Sequence, residues 1–353
     1  MKKEKGVLVF NVGSSSIKYS LFRGMEKINS GKFEELKKRR DFKKSVKEIF
    51  KKLKNKKIDL VAHRVVHGGN LKKTQKIDKN IKKIIKQFSP LAELHNPNQL
   101  LTINICEKIF KKPQFVVFDT MFFSEIPEIA REYSLPRNIT KKHRIKKYGF
   151  HGLSHKFVSK NLGGKTITCH LGSGCSISAI KNKKSLENSM GFTPNSGIIM
   201  GTRSGSLDPG LVSFLEQKGY NPKKVLESNS GLKGISGYSD FRKILKTMNK
   251  NKQSKLAYDL FVYKNTKKIG SYVAVLDGVD NLVFTASIGE NVPKLRKDIC
   301  KNLSFLGLKL NKDSNKKNKE IISHKNSKVK VYVKKTDEEK QILLEVLNKK
   351  TRG

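Results

Sequence analysis

Short apolar runs recur along the chain, each closed by a polar or glycine-rich turn. Between them lie stretches whose apolar residues return every three or four positions. Val7, Leu8, Val9 and Phe10 lead into "NVGSSSIKYSLF" (11–22), so residues 7–22 read as strand, turn, strand. In the Lys-rich stretch 31–57, Phe33, Leu36, Phe42, Val46, Ile49 and Phe50 fall at helical spacing. A buried-type strand follows over 58–62. "HNPNQLLTINICEKIF" predicts a helix with Asn96 as N-cap and Pro97 at the first helical position. "QFVVFDT" (114–120) is a β-rich run ending in an acid, and 166–180 predict a second strand, turn, strand. Residues 255–275 read as a long helix with Leu256, Leu260, Phe261, Ile269, Tyr272 and Val273 in the core. A strand over 282–286, a turn "SIGEN" and a helix from Val292 and Pro293 follow, an order that aims backbone N–H groups at an anion. Residues 311–328 predict a polar, mobile loop without a role. "KVKVYVKK" alternates as a strand does, and the acidic turn "TDEE" (336–339) closes it. Strands and helices intermix throughout, which makes the class α/β.

The two hairpins resemble each other. "FNVGSSSIKYS" and "CHLGSGCSISAI" share an apolar strand, a polar residue, an apolar residue, Gly-Ser, then small residues and Ile. Asn11 and His170 stand 159 positions apart. Two units of that size suggest a duplicated domain.

The chain has 353 residues, enough for two domains, and carries 75 basic against 30 acidic residues, a net charge of +45. Clustered, that charge would mark a nucleic-acid binder. Lys is instead spread from Lys2 to Lys350 and far outnumbers Arg, so most of it reads as solvated surface. The field attracts small anions, and RNA only weakly and in a salt-dependent way. Cys106, Cys169, Cys175 and Cys300 show no metal spacing and read as free thiols of a reducing compartment. The apolar run after "MKKEK" is too short for a signal peptide, and no stretch approaches the ~20 apolar residues that span a bilayer. A cytoplasmic location without membrane contact is expected.

Several stretches set rare residue types beside Gly or Pro. "AHRVVHGG" (62–69) holds Arg64, "LHNP" (94–97) holds His95, "FDT" holds Asp119, and "GFHGLSH" (149–155) holds His151. "MGFTPNSGIIMGTRSGSLDPGL" (190–211) packs five Gly, two Pro and Arg203 into one irregular run, and a run of that length inside an α/β protein is usually functional. The turn after Asn11 suits either a plain hairpin or a phosphate held by backbone N–H groups, Ser hydroxyls and Lys18.

Taken in order, "FNVGSSSIKYSLF", "HRVVHGG", "LAELHNPNQL", "FDTMFF…IPE", "YGFHGLSH", "CHLGSGCS", "SMGFTPNSGIIMGTRSGSLDPG", "GYSDFR" and "FTASIGEN" resemble the acetate kinase family, which includes propionate kinases. The resemblance implies duplicated ribonuclease-H-like domains of the sugar kinase and actin superfamily, an interdomain cleft for the nucleotide, and a homodimer. The expected division is 1–148 plus 340–353 for the acyl domain and 149–339 for the nucleotide and dimerisation domain. It implies Mg²⁺-dependent, reversible phosphoryl transfer between ATP and acetate, giving ADP and acetyl phosphate. Propionate is the rival acid. A degraded kinase fold acting as a basic RNA- or anion-binding protein is the alternative from another class; no aromatic-basic RNA motif supports specific nucleic-acid binding.

Position by position, the resemblance makes Arg64 and Arg203 the pair flanking the carboxylate and the transferring phosphoryl, and His151 the donor that stabilises it. Asp119 becomes the catalytic acid. Val66 and Leu94 wall the substrate pocket, with His95 beside it. Ser14, Ser16 and Lys18 belong to one phosphate loop, and His170, Leu171, Gly172, Ser173 and Gly174 to the second. Asp240, Phe241 and Arg242, with Ser287, Ile288, Gly289, Glu290 and Asn291, become nucleotide contacts, and Asn11 and Glu338 the residues near Mg²⁺. The chain departs from the family's pattern at Ser173, Ser206 and Ser287 and over 336–345.

Overall fold

A computed structural model describes residues 4–350 and divides into two compact units. The first comprises the chain up to 124, residues 151–157 and the chain from 337 on. The second comprises 125–150 and 158–336. These boundaries differ from the expected ones in giving 125–148 to the second unit, and 151–157 and 337–339 to the first.

The first unit is built on a six-stranded sheet of β1 (Gly6–Val12), β2 (Ile17–Arg23), β3 (Glu26–Phe33), β4 (Leu60–Val65), β5 (Gln75–Lys76) and β6 (Gln114–Phe118), in the order β3-β2-β1-β4-β6-β5. β1 pairs antiparallel with β2 and parallel with β4, which pairs parallel with β6. β1 is buried along its whole length because both faces are covered. Leu8, Phe10 and Val12 pack against Phe42, Val46 and Ile49 of the helix Arg39–Lys52, together with Ile105 and Cys106 of the helix Asn96–Ile109. On the other face Val7 and Val9 meet Ile342, Leu343 and Val346 of the helix Glu338–Lys350. That helix therefore brings Glu338 and Glu339 to the end of β1.

The second unit repeats the plan with β7 (Lys165–Leu171), β8 (Cys175–Lys181), β9 (Lys184–Asn188), β10 (Asn281–Thr285) and β11 (Lys330–Val333), in the order β11-β10-β7-β8-β9. The β7–β8 hairpin is antiparallel, and β10 joins β7 and β11 in parallel. Each sheet thus reads antiparallel, antiparallel, then parallel, the arrangement expected of duplicated ribonuclease-H-like domains.

Six local expectations need correction. The stretch 31–57 is not helical from its start: β3 runs to Phe33, and the helix begins at Arg39. The helix expected to be capped by Asn96 starts one residue earlier, with His95 at the N-cap, because the Asn96 side chain is committed to the His67 peptide instead. Leu256 is exposed on the helix Lys252–Leu276, whose inward face is carried by Ala257, Phe261, Ile269 and Tyr272. "SIGEN" is not a turn but the body of a short helix, Ala286–Asn291, and "TDEE" runs into the helix Glu338–Lys350. The segment 311–328 is not without a role either: it holds a short helix, Lys312–Lys316, and anchors a buried Arg described below. Among the described residues no helix is long and apolar enough to cross a membrane, and all four cysteines are buried and free.

Candidate active site

In the first unit the charged residues gather at the carboxyl ends of β1, β4 and β6. Asn11 is the sixth residue of β1, Arg64 the fifth of β4, and Asp119 follows β6 directly. Arg64 Nε and Nη2 donate to the two carboxylate oxygens of Asp119 at 3.1 and 2.6 Å, a bidentate pair. Arg64 Nη1 donates to Asn11 Oδ1 at 2.9 Å and lies 3.2 Å from a Glu338 oxygen. Asn11 Nδ2 in turn donates to Glu338 and Glu339, both at 2.9 Å. Three carboxyl groups therefore surround one guanidinium. Burial alone would lower the Arg64 pKa, but the charges of Asp119 and Glu338 outweigh it and the net shift is upward. Burial pushes the Asp119 carboxyl above its ordinary range, and Arg64 works against it.

His151 belongs to the same unit and donates its backbone N–H to Asp119. Its φ of 59° lies in the left-handed region, a strained state for a non-glycine residue that is common at functional sites. The next residue must be Gly, since a Cβ on Gly152 would run into the Asp119 carbonyl. The other histidines of "AHRVVHGG" are packing residues. His63 is buried, stacks on Phe10 at 5.6 Å and bonds Gln114 at 2.7 Å, and burial lowers its pKa to about 4. His67 stacks on Phe88 at 4.9 Å.

The turn after β1 is closed by Gly13 N–H donating to Ser16 O at 2.9 Å, with Ser14 and Lys18 exposed and Ser16 partly so. Val66 is buried, while Leu94 is half exposed.

The second unit gathers the other predicted segments. The turn after β7 is closed by Gly172 N–H donating to Gly174 O at 3.1 Å. Gly201 N–H donates to Ser173 O at 3.1 Å, and Gly201 also packs near Ser239 O, so the 190–211 run and the "SDFR" segment both reach this turn. Gly172 in turn lies near Ala286 and the Ser287 hydroxyl. Residues 189–209 contain no helix or strand. They are tied down by polar side chains. Buried Asn188 accepts from Met190 N–H at 2.9 Å and donates to Ser178 at 2.7 Å. Ser206 Oγ accepts from Gly197 N–H at 2.9 Å, which gives the departure at Ser206 a structural part.

Arg203, on this run, is mostly buried. Its guanidinium donates to Pro194 O at 2.9 Å and touches the Met200 sulfur; no carboxylate of the described residues lies within ion-pair distance. Burial lowers its pKa, and its positive charge acts in turn on Cys175, at the end of the Gly172–Gly174 turn. Only the charge of Glu227, beyond ion-pair distance, acts on it in the favourable sense, and a largely buried guanidinium without a paired carboxylate is costly unless an anion completes it.

Not every predicted contact faces this place. Phe241 is a core residue, with its ring 5.2 Å from that of Phe261 and 6.0 Å from that of Tyr258. Asp240 caps the helix Phe241–Thr247 and pairs with exposed Arg242. Glu290 turns inward, accepting from Ala286 N–H at 2.9 Å and Thr336 N–H at 3.3 Å, and Ile288 and Gly289 are buried. Ser287 and Asn291 are exposed, and Leu171 is buried at the end of β7. His95 is the N-cap of the helix Asn96–Ile109, Val66 N–H donates to Gln99 of that helix, and His170 ends the ladder with Thr285.

One functional anchor carries no signal in the sequence. Arg296, buried, spends its donors on neutral acceptors: Asn315 Oδ1 and O, Gly289 O and Glu290 O at 2.8 Å, and Asn318 Oδ1 at 2.5 Å. Burial lowers its pKa to about 10. It fastens the helix Ala286–Asn291 to the Lys- and Asn-rich segment. Arg296→Met is expected to lose about 2–4 kcal/mol in urea unfolding, because several buried carbonyls are orphaned. A variant as stable as wild type would remove that anchoring role.

Similarity to known proteins bears on both charge sets. The model of the acetokinase family matches residues 23–344. The acetate kinase of Clostridium novyi (strain NT) is 40% identical over 385 aligned positions, covering 95% of this chain and 96% of that protein. Two crystal structures superpose with a TM-score of 0.87. One is the acetate kinase of Porphyromonas gingivalis, 34% identical and covering 98% of this chain and 99% of that one. The other is a propionate kinase from Francisella tularensis subsp. tularensis SCHU S4, 35% identical and covering 97% and 98%.

Proposed function

Since the chain belongs to the acetokinase family, we propose that it transfers the γ-phosphoryl group of ATP reversibly to acetate, giving acetyl phosphate and ADP. A carboxylate is ionised at pH 7 and needs no base. Its obstacle is repulsion by an anionic phosphoryl group and loose orientation, so catalysis rests on positioning and charge. The observation that carries the reading is Arg203, a partly buried guanidinium with no carboxylate of the described residues within ion-pair distance, near the Gly172–Gly174 turn. In this reading the turn's N–H groups and Ser173 receive phosphate oxygens, and Arg203 meets the charge on the transferring group. In the first unit, the role proposed for His151 is to stabilise a phosphoryl group. Asp119 acts by holding Arg64, since both its oxygens are engaged there.

The first unit bears on Mg²⁺. Among the described residues no group of three or more His, Cys, Asp or Glu side chains is arranged to hold a metal ion by itself. Mg²⁺, however, commonly takes only one or two protein oxygens and completes its shell with phosphates and water. Glu338 and the Asn11 amide oxygen fit that pattern, in a cluster where carboxyl groups outnumber the guanidinium three to one. Bound there, Mg²⁺ would neutralise phosphate charge.

Location and assembly belong to the same proposal: a cytoplasmic homodimer. Exposed Leu211, Phe214 and Tyr220 lie on and after a helix, Gly210–Gln217, that buries none of its own residues, and a second copy would cover them.

Acyl hydroxamate formation from ATP, Mg²⁺ and a panel of short carboxylates tests the function, with light scattering on the same preparation for the dimer. Turnover is expected with acetate, more weakly with propionate, and is expected to vanish with EDTA. A pocket discriminates one methylene by only about 10- to 200-fold, so some propionate activity fits the reading. No turnover with any acid, beside tight salt-sensitive RNA binding, would replace it with the anion-binding alternative.

A further inference from the structure

The parallel ladder between β1 and β4 ends at Phe10 and His63, one residue short of Asn11 and Arg64. In the second unit, where His170 matches Asn11 in the repeat, the ladder reaches His170 and Thr285. Beyond the last rung of the first ladder a side chain takes over. Gln99, buried on the helix Asn96–Ile109, accepts from Val66 N–H at 3.0 Å and donates to Val12 O at 2.8 Å. Its carboxamide stands between the two strand ends as a peptide would and holds them apart by its own width. One turn earlier on the helix, Asn96 grips the next peptide, accepting from His67 N–H at 3.1 Å and donating to His67 O at 3.0 Å.

We propose that Gln99 is a positioning residue for the acyl substrate. It sets the spacing of the strand ends that carry Asn11 and Arg64, and it fixes Val66, which the family resemblance makes a wall of the substrate pocket; the inference rests on the proposed function. The requirement is for one donor and one acceptor on a single neutral group. A carboxylate could accept from Val66 N–H but would face the Val12 carbonyl without a proton. Methionine fills the volume and makes neither bond. Asparagine is one methylene short of spanning both partners.

Gln99→Met, Gln99→Glu and Gln99→Asn, each checked for folding by circular dichroism, test this with acetate, propionate and ATP varied in turn. The expected result for Met and Glu is a rise in the acetate KM of about tenfold, with the ATP KM within about twofold of wild type. The acetate-to-propionate ratio of kcat/KM is expected to shift by about threefold or more, since Val66 is no longer held, and Asn is expected to fall between. A purely structural residue would lower the melting temperature without moving that ratio. Folded variants with the wild-type acetate KM and ratio would overturn the proposal, as would an equal rise in the ATP KM or failure of all three to fold. A wild type without turnover would remove the proposed function and this inference together. Wild-type turnover beside unmoved variants would remove this inference alone.

Discussion

Arg203→Ala is expected to lose turnover by about three orders of magnitude or more while its melting temperature stays within a few degrees of wild type. The two halves of that expectation have one cause. The guanidinium is mostly buried, bonds only one carbonyl and a sulfur, and has no carboxylate beside it among the described residues. Burial disfavours its charged form and the charge of Glu227, beyond ion-pair distance, offsets only part of that, so the folded protein holds Arg203 at a cost that a bound anion would relieve. Removing it leaves Pro194 O short of one donor, worth about 1 kcal/mol, and relieves a charge that Glu227 balances only in part. Arg203→Met, which also keeps the volume, is expected to be as stable as wild type or more so, with the same loss of turnover. Thermal unfolding and the hydroxamate assay on one preparation read both. A folded variant with wild-type turnover would dismiss Arg203 from the site. A severe loss of stability would make it a scaffold residue instead.

Arg203 is legible in the sequence because its setting is local. It sits in a Gly- and Pro-rich run too long to be a connection, and the repeat of the two hairpins shows the duplicated plan from small residues and spacing alone. The features that the sequence hides are either weakly patterned or distant. β3 is a half-exposed edge strand, paired among the described residues with β2 alone, so it lacks the apolar run that marks β1. The helix Ala286–Asn291 begins on a residue with φ of 64°, which no propensity predicts. Arg296 reads as one more cation among many, because its acceptors are carbonyls and amides of segments up to 22 positions away. Gln99 bonds backbone groups 33 and 87 positions distant, and nothing in "HNPNQL" announces that. The ring around Arg64 is legible only through family resemblance: Asp119 lies 55 positions on, and Glu338 arrives on the C-terminal helix, whose place against β1 is set by Ile342, Leu343 and Val346.

Asp119→Asn is the substitution expected to damage both function and fold. The side chain is almost fully buried, and both oxygens are taken by Arg64. An amide in the same place presents an N–H₂ group to a guanidinium N–H, so one of the two bonds becomes a clash of donors. Breaking one side of a buried ion pair costs about 3–5 kcal/mol. The lower end is expected here, because Glu338 remains 3.2 Å from Arg64 and keeps part of the charge balanced. Turnover is expected to fall by about 10²-fold or more, since Arg64 loses its bidentate orientation and the His151 N–H loses a charged acceptor. The two effects separate in a double-mutant cycle with Arg64→Met. Because the residues touch, the cycle is expected to give a coupling of about 1–3 kcal/mol, with the double variant more stable than Asp119→Asn alone. Its turnover is expected to stay as low as that of the worse single variant, because restoring a balanced interior does not restore a cation at the carboxylate. Additive stabilities would show that the pair does not act as a unit. A double variant that recovered turnover would show that Arg64 and Asp119 serve only the fold.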